Sequence, residues 1–365
     1  MTTLTLTSLR DLQTAVREHT RLLPRAGGSK PALSTPPDDA TTVLDISAFT
    51  GVLAYDPGEF TFTARAATPI REVNAMLAQH GQYLPFDPLL PDRATLGGVL
   101  AANTAGSMRL RFGGLRDFIL MIRFVDGTGE HIRGGANVVK NSAGFDLPKL
   151  FVGSLGRLGI LTELTFKVFP APQATHTLRA EYDSLDDALS ALYALTHAPF
   201  DLEALDLRPA ADSVALLARL GGLPAALPAR LAELRAFLTH GDIIRDDAAL
   251  WSPLIHDTWR APDSALVKVP LTPARIPLIE HALAGIAAAR WYSVAGNVLW
   301  LALDPAHLPA LDSRLTQLNL SGLLLSGATY PHALLGKQPD PAFTAHVATA
   351  LDPHGRFLPL TPILA

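Results

Sequence analysis

T-L-G-G-V-L-A-A-N-T-A-G-S, residues 95–107, reads as a helix whose first turn holds two glycines. Thr95 suits the N-cap, because its hydroxyl can accept from a free N–H of the first turn. Gly97 and Gly98 then fall just inside the helix, where glycine costs about 1 kcal/mol relative to alanine. A pair of them needs a reason. One is a ligand held against the backbone: a helix N-terminus presents N–H groups and a positive dipole end, which suit a pyrophosphate. The other is close packing of the helix on a neighbour, which small Ala101 and Ala102 would also serve. This stretch alone leaves both open.

Working outward, two more glycine-rich stretches flank it. L-P-R-A-G-G-S-K-P-A-L, residues 23–33, leaves a short strand and puts Gly27 and Gly28 in a tight turn. Such a turn lets successive N–H groups converge on an anion, with Ser29 and Lys30 as added donors. An ordinary surface turn has the same composition. The spacing G-x-x-x-x-G-K-[ST] of a Walker loop is absent. Residues 140–163, K-N-S-A-G-F-D-L-P-K-L-F-V-G-S-L-G-R-L-G-I-L-T-E, carry Gly153, Gly156 and Gly159 at every third position. Such a run is a poor helix. It reads as a wide, backbone-lined loop beside a flat ligand, or as an irregular connector. No stretch matches the G-x-G-x-x-G of the nicotinamide dinucleotide fold.

The 365 residues, 48% apolar and 18% charged, suffice for two or three domains with sizeable cores. A net charge of −4 gives no general attraction to nucleic acid or anionic membranes. With no cysteine, the chain has no disulfide, thiolate-bound zinc or iron–sulfur ligation of its own. An electron path through iron–sulfur clusters would need a partner. The first residues lack the basic start and apolar run of a signal peptide, and no uncharged apolar run of about 18 residues occurs. A cytoplasmic protein is expected, peripheral to the inner membrane only through partner subunits. His19, His80, His131 and His240 are scattered, with no H-E-x-x-H or H-x-H spacing, so no metal site is expected. No G-x-S-x-G elbow points to a hydrolase.

The pattern of elements is α+β. Ser8 caps a helix with Leu9, Leu12 and Val16 on one face; strands follow at 21–24, 43–46 and 60–65. Thr68-Pro69 opens a helix with Ile70, Val73 and Leu77 inward. D-G-T-G at 126–129 reads as a hairpin turn. Beyond residue 171 the order β-α-β-β-α-β runs once over 175–244 and again over 265–325. That suggests two ferredoxin-like units sharing one continuous sheet. The second unit includes a helix at 273–286 capped by Thr272. Asp186 and Asp187 complement a helix dipole. Trp291, Tyr292 and Trp300 flank a hairpin; they could line a ligand pocket, but aromatic strand packing also accounts for them. A helix at 341–351 and a Pro-rich tail complete the chain.

Taken in order, the glycine-rich segments resemble the PCMH-type FAD-binding domain of the vanillyl-alcohol oxidase class over roughly residues 5–170. More narrowly the chain is similar to the E subunits of bacterial glycolate oxidase (glycolate dehydrogenase). That likeness rests on Y-D-P-G-E-F-T-F-T-A-R-A-A-T-P-I at 55–70, G-Q-Y-L-P-F-D-P at 81–88, A-T-L-G-G-V-L-A-A-N at 94–103, L-R-D-F-I-L at 115–120 and V-V-K-N-S-A-G-F-D-L at 138–147. It implies a two-lobed FAD-binding domain at 1–170, an α+β cap at 171–326 and a C-terminal return segment at 327–365. It implies non-covalent FAD held by Arg25, Ala26, Gly27, Gly28, Ser29 and Lys30 in the first loop. The second wall would be Thr95, Leu96, Gly97, Gly98, Asn103, Gly106 and Ser107, and the third Gly153, Ser154, Gly159 and Ile160. It implies a hetero-oligomeric flavoprotein taking part in oxidation of glycolate, a 2-hydroxy acid, with a catalytic flavin subunit and an iron–sulfur subunit as partners. The alternatives are a non-catalytic scaffold that has lost flavin, and a stand-alone FAD-dependent alcohol or 2-hydroxy-acid oxidase. Catalytic flavin subunits of related dehydrogenases carry G-H-x-G-D-G-N-x-H. The nearest stretch here, S-V-A-G-N-V-L-W-L at 293–301, keeps Gly296 and Asn297 without the histidines and acid, so no catalytic residue is assigned. The tail L-D-P-H-G-R-F-L-P at 351–359 resembles a family tail D-P-x-G-x-F-N-P-G, with Leu358 in place of the asparagine.

Overall fold

The alternation in T-F-T-A-R (Thr61–Arg65) buries Phe62 and Ala64 on one side and leaves the residues between them on the other. Opposite them, in register, stand Phe166 and Leu164 of Ile160–Lys167, and the Phe62 and Phe166 rings stack 6.0 Å apart. These two strands belong to a five-stranded antiparallel sheet ordered Val52–Asp56, Thr61–Arg65, Ile160–Lys167, Ile119–Val125, His131–Gly135. Its last hairpin turns at the expected D-G-T-G, where the Asp126 carboxylate accepts from the N–H groups of Thr128 and Glu130 and from the Thr128 hydroxyl. The computed structural model describes residues 2–136, 146–327, 330–338 and 340–359. The motif at 138–147 therefore lies almost wholly outside the described residues.

A second, three-stranded sheet is parallel, with Thr42–Asp45 between Thr2–Thr5 and Leu22–Arg25. Ser8 caps helix Leu9–Glu18 as expected, accepting from the Asp11 N–H, and Leu12 and Val16 are fully buried beneath it. The cap at Thr68-Pro69 differs from expectation. Helix Ile70–Ala78 starts after Pro69, which stands at the N-cap with no side-chain bond. Thr68 turns away instead, its hydroxyl accepting from the Gly51 N–H and donating to the Gly51 carbonyl. The first-turn N–H groups have backbone acceptors, Ile70 on the Ala94 carbonyl at 3.0 Å and Arg71 on the Pro91 carbonyl at 3.1 Å, so the threonine is free to tie down the neighbouring loop. The C-terminal stretch returns to this part of the fold. Leu22 N–H donates to the Arg356 carbonyl at 2.7 Å, and Leu358 is buried against Leu23 and Val43.

The duplication read from the sequence is present. Nine antiparallel strands form one sheet, ordered Asp242–Ile244, Ala174–Tyr182, Val214–Gly222, Leu202–Pro209, Ala288–Ser293, Val298–Leu303, Ala265–Pro270, Ser321–Ser326, Leu334–Gly336. Apart from the last strand, each half has the same internal order, and the halves meet at their second strands through Leu207 and Tyr292. Helices Leu185–His197, Leu227–Leu238, Ile276–Ala282 and Leu308–Gln317 contribute buried residues to one continuous core on one face of the sheet. The helix expected at 273–286 is shorter. It begins as a 3₁₀ turn (Pro273–Arg275), and Thr272 makes no capping bond. Pro277 supplies no N–H to the Pro273 carbonyl, which accepts instead from Ile276 N–H in a 3₁₀ bond.

The other face of this sheet meets the N-terminal sheets. Trp291, Trp300, Leu266, Val298 and Leu325 pack with Leu89 and Leu254. Leu254 belongs to Ala248–His256, a helix the sequence reading omitted because Pro253 interrupts its pattern. The Ile255 carbonyl of that helix accepts from Leu90 N–H at 2.7 Å, tying the cap to the N-terminal sheets.

Candidate functional site

A cleft runs between the parallel sheet and the five-stranded sheet. Its walls are the loop after strand Leu22–Arg25, the start of helix Leu96–Ala102, and the glycine-rich loop that leads into Ile160–Lys167. Of the residues named from the resemblance, Arg25, Ala26, Gly27, Gly28, Ser29, Lys30, Thr95, Gly97, Gly98, Gly159 and Ile160 line it. Leu96, Asn103, Gly106, Ser107, Gly153 and Ser154 do not. Leu33, Ala66, Ala101, Leu155 and Gly156 join the wall without having been named.

The first loop has the chemistry of an anion cradle. Gly28 has φ +58°, and a Cβ there would meet nothing within 4 Å, so the left-handed turn rather than crowding calls for glycine. The N–H groups of Gly27, Gly28 and Ser29 have no acceptor among the described residues. Lys30 is buried, its Nζ touches only the Ser29 hydroxyl, at 3.2 Å, among the described residues, and burial pushes it down to about 8. A buried amine without a carboxylate, beside three free N–H groups, is complementary to a phosphate.

The second wall behaves differently from expectation. Thr95 does cap helix Leu96–Ala102, its hydroxyl accepting from Gly98 N–H at 3.4 Å. The first-turn N–H groups, however, are not free. Leu96 donates to the Thr68 carbonyl at 3.0 Å and Gly97 to the Ala66 carbonyl at 2.7 Å. A Cβ on Gly97 would lie 2.9 Å from Ala66 Cβ and 3.0 Å from its carbonyl oxygen. Gly97 is therefore glycine because the helix is drawn onto the neighbouring strand end. Gly98 is the residue with room: a Cβ there would meet only the Thr95 hydroxyl, at 3.1 Å.

In the third wall, Gly153, Gly156 and Gly159 all have positive φ, in agreement with a loop rather than a helix. The loop is zipped to helix Leu96–Ala102 by Gly153 N–H to the Leu100 carbonyl and Leu155 N–H to the Ala101 carbonyl. Ser154 is buried, and its hydroxyl has no partner among the described residues.

Past the end of that helix, the remaining named residues face the cap. Asn103 is a left-handed C-cap (φ +50°), and its carbonyl accepts from Lys268 Nζ at 2.6 Å. The Ser107 hydroxyl donates to Asp206 at 2.5 Å, and the same carboxyl accepts from Trp291 Nε1 at 2.6 Å and Val294 N–H at 3.1 Å. Asp87 accepts from Met108 N–H. Burial pushes Asp87 up to about 8, Asp206 up to about 7 and Lys268 down to about 7. Arg111 pairs with buried Glu203 across the same junction. The sequence reading missed this polar seam. Its signal was a charge inside an apolar strand: Lys268 in A-L-V-K-V-P, and Glu203 and Asp206 in L-E-A-L-D-L.

Residues 4–135 match the model of the FAD binding domain family. The chain carries an FAD binding domain. FAD is its cofactor, and the cleft of this domain, with its buried Lys30 and open first loop, fits the dinucleotide's phosphates. The chain is 42% identical over 183 residues to glycolate oxidase subunit GlcE of Escherichia coli (strain K12), covering 50% of this chain and 51% of that protein. It is 32% identical to glycolate oxidase subunit GlcD of Bacillus subtilis (strain 168), covering 51% of this chain and 40% of the relative. It is 31% identical to D-lactate dehydrogenase of Anaerostipes hadrus, covering 48% and 38%. The alignments thus span about half the length, or less, of these curated relatives. Among solved structures, an alkyldihydroxyacetonephosphate synthase superposes with a TM-score of 0.71 at 18% identity, covering 96% of this chain and 75% of that one. The likeness extends past the FAD binding domain into the nine-stranded sheet, so the fold is shared along nearly the whole chain. Among the described residues no helix is long and apolar enough to cross a membrane.

Proposed function

We propose that this chain is the FAD-binding subunit of a glycolate oxidase (glycolate dehydrogenase) complex, an oxidoreductase acting on the CH–OH group of a 2-hydroxy acid. The observation that carries the reading is the cleft: three glycine-rich walls line it together with buried Lys30, which has no carboxylate partner among the described residues. The names of the similar glycolate oxidase subunits supply the substrate. In this reading FAD is bound non-covalently and accepts the two electrons of the alcohol. Gly27, Gly28, Ser29 and Lys30 hold its phosphates, and Gly98, Gly159 and Ile160 give close approach along its length. The seam of Asp87, Ser107, Asp206 and Lys268 fixes the cap, residues 171–326, against the FAD binding domain, residues 1–170, and residues 327–365 close the chain back onto it.

The chain depends on partners to turn over glycolate. Alcohol oxidation needs a base at the carbinol and a cation at the carboxylate. Aligned on Gly296 and Asn297, the hairpin at 293–301 puts buried Leu299 where the catalytic subunits' motif has its second histidine. Without cysteine, onward transfer needs an iron–sulfur subunit, and a catalytic flavin subunit completes the complex. The test is reduction of a redox dye by glycolate, with the purified chain alone and with partner chains added. Yellow protein with turnover only in the mixture supports the proposal. Turnover by the isolated chain near a typical kcat of about 10 s⁻¹ defeats the dependence on partners, and colourless protein defeats the flavin role.

A further inference from the structure

A second cavity, of about 900 Å³, adjoins the cleft, with Leu33 and Leu155 in the walls of both. Its far side is built by Tyr330 and His332, beyond strand Ser321–Ser326, and by Leu358 of the returning tail. Small-molecule pockets run to roughly 300–1,000 Å³, so the space is of ligand size. No Asp or Glu lines it among the described residues, whereas Arg21, Arg157 and His332 do. Two of these have partners: Arg21 pairs with Asp38, and His332 lies 3.7 Å from Asp312 with its Nδ1 against the Leu334 carbonyl.

Arg157 is the exception. No carboxylate among the described residues pairs with it, and its Nη1 is buried without a hydrogen-bond acceptor. Burial pushes the guanidinium down to about 10. The backbone holds the residue in place. Gly156, at φ +71°, packs so tightly on Pro24 that a Cβ would come within 2.8 Å, and Arg157 N–H donates to the Ser154 carbonyl. The residue as a whole is half-buried, and a guanidinium nitrogen taken out of water without counter-charge is destabilising unless a ligand brings the charge.

We propose that this cavity binds a small carboxylate anion and that Arg157 is its counter-charge. The planar guanidinium fork matches the two oxygens of a carboxylate. Leu33, Leu324, Leu334 and Leu358 give the cavity apolar wall beside the guanidinium, where a charge pair is stronger than in bulk water. The inference rests on the proposed function and deepens it: a 2-hydroxy acid belongs to this class, and it would bind in this chain, next to the flavin cleft.

The experiment titrates FAD-loaded protein with oxalate, glycolate and D-lactate, following the flavin absorption difference and the heat of binding. A saturable change is expected in the wild type. In Arg157→Leu it weakens by at least tenfold while FAD occupancy is unchanged, and in Arg157→Lys it is partly kept. The ligand-free Leu variant should also melt higher, because it loses an uncompensated buried charge. Absent carboxylate binding in the wild type, or equal binding in the Leu variant, overturns the proposal. So does loss of FAD in the Leu variant with recovery in the Lys variant, since the anion would then be the cofactor's phosphate. If the wild type holds no FAD, the proposed function fails instead, and calorimetry of oxalate binding to the FAD-free protein still judges the cavity.

Discussion

Gly97 and Gly98 are neighbours in one helical turn, and the structure gives them opposite roles that substitution should separate. Gly98→Val exchanges one poor helix former for a better one, a gain of a few tenths of a kcal/mol. Its Cβ would crowd only the Thr95 hydroxyl at 3.1 Å, which can rotate away, so stability should stay within about 1 kcal/mol of wild type. The same side chain enters the cleft and covers an N–H whose bond to Thr95 is long, at 3.4 Å. Losing one charge-assisted contact there costs about 1.5–3 kcal/mol, or roughly a 10- to 100-fold weaker Kd for FAD. Gly97→Ala should do the reverse. Its Cβ would lie 2.9 Å from Ala66 Cβ and 3.0 Å from Ala66 O, so the helix must lift off the strand. Overpacking of this kind costs about 1–3 kcal/mol, and each kcal/mol lowers Tm by about 2–4 °C in a unit of this size. Thermal melts of the FAD-free proteins and fluorescence titrations with FAD measure the two effects. If Gly98→Val binds FAD like wild type, or if Gly97→Ala melts like wild type, the division of labour argued here is wrong.

Three further outcomes are expected. Trichloroacetic acid should release all flavin into the supernatant, since no His, Cys or Tyr lines the cleft among the described residues; yellow colour in the pellet would contradict this. Asp87 is raised to about 8 in the fold, so the native state binds its proton more tightly than the unfolded chain. Its contribution to stability is full below the ordinary carboxylate range and is lost as pH rises to about 8. Lys268 pulls the other way over the alkaline range, so the readout is the difference between proteins: Asp87→Asn should lose less Tm than wild type between pH 5 and 9 (a window set on the order of the shift), and parallel curves would refute the assignment. Finally, Arg111→Met strands the buried Glu203 carboxylate and should cost about 3–5 kcal/mol in urea unfolding. Adding Glu203→Met should recover most of that loss, and a double variant no better than the single one would count against the pair.

Local signals carried much of the fold. Ser8, Thr95 and Ser184 cap helices because a side-chain oxygen needs only an N–H three residues on, a bond set by sequence spacing. The repeated β-α-β-β-α-β order was legible for a similar reason: strand alternation and helix stripes are periodic along the chain. Helix Ala248–His256 escaped because Pro253 breaks that periodicity, and its place is set by Leu90 and Gly106, distant in sequence.

The sequence by itself determined the three glycine-rich segments, their order, the absence of cysteine and the duplicated cap. It could not determine why each glycine is glycine. Gly28 answers to its own φ, Gly97 to Ala66, and Gly156 to both its φ and Pro24; the contacts of the last two depend on neighbours brought close by folding. Likewise Lys268, Asp206 and Arg157 are single letters in apolar or glycine-rich runs until packing buries the first two and part of the third. Burial and the presence or absence of a counter-charge are properties of the assembled fold. They decide which of these groups is a strut and which, like Arg157, is left facing a cavity without a partner.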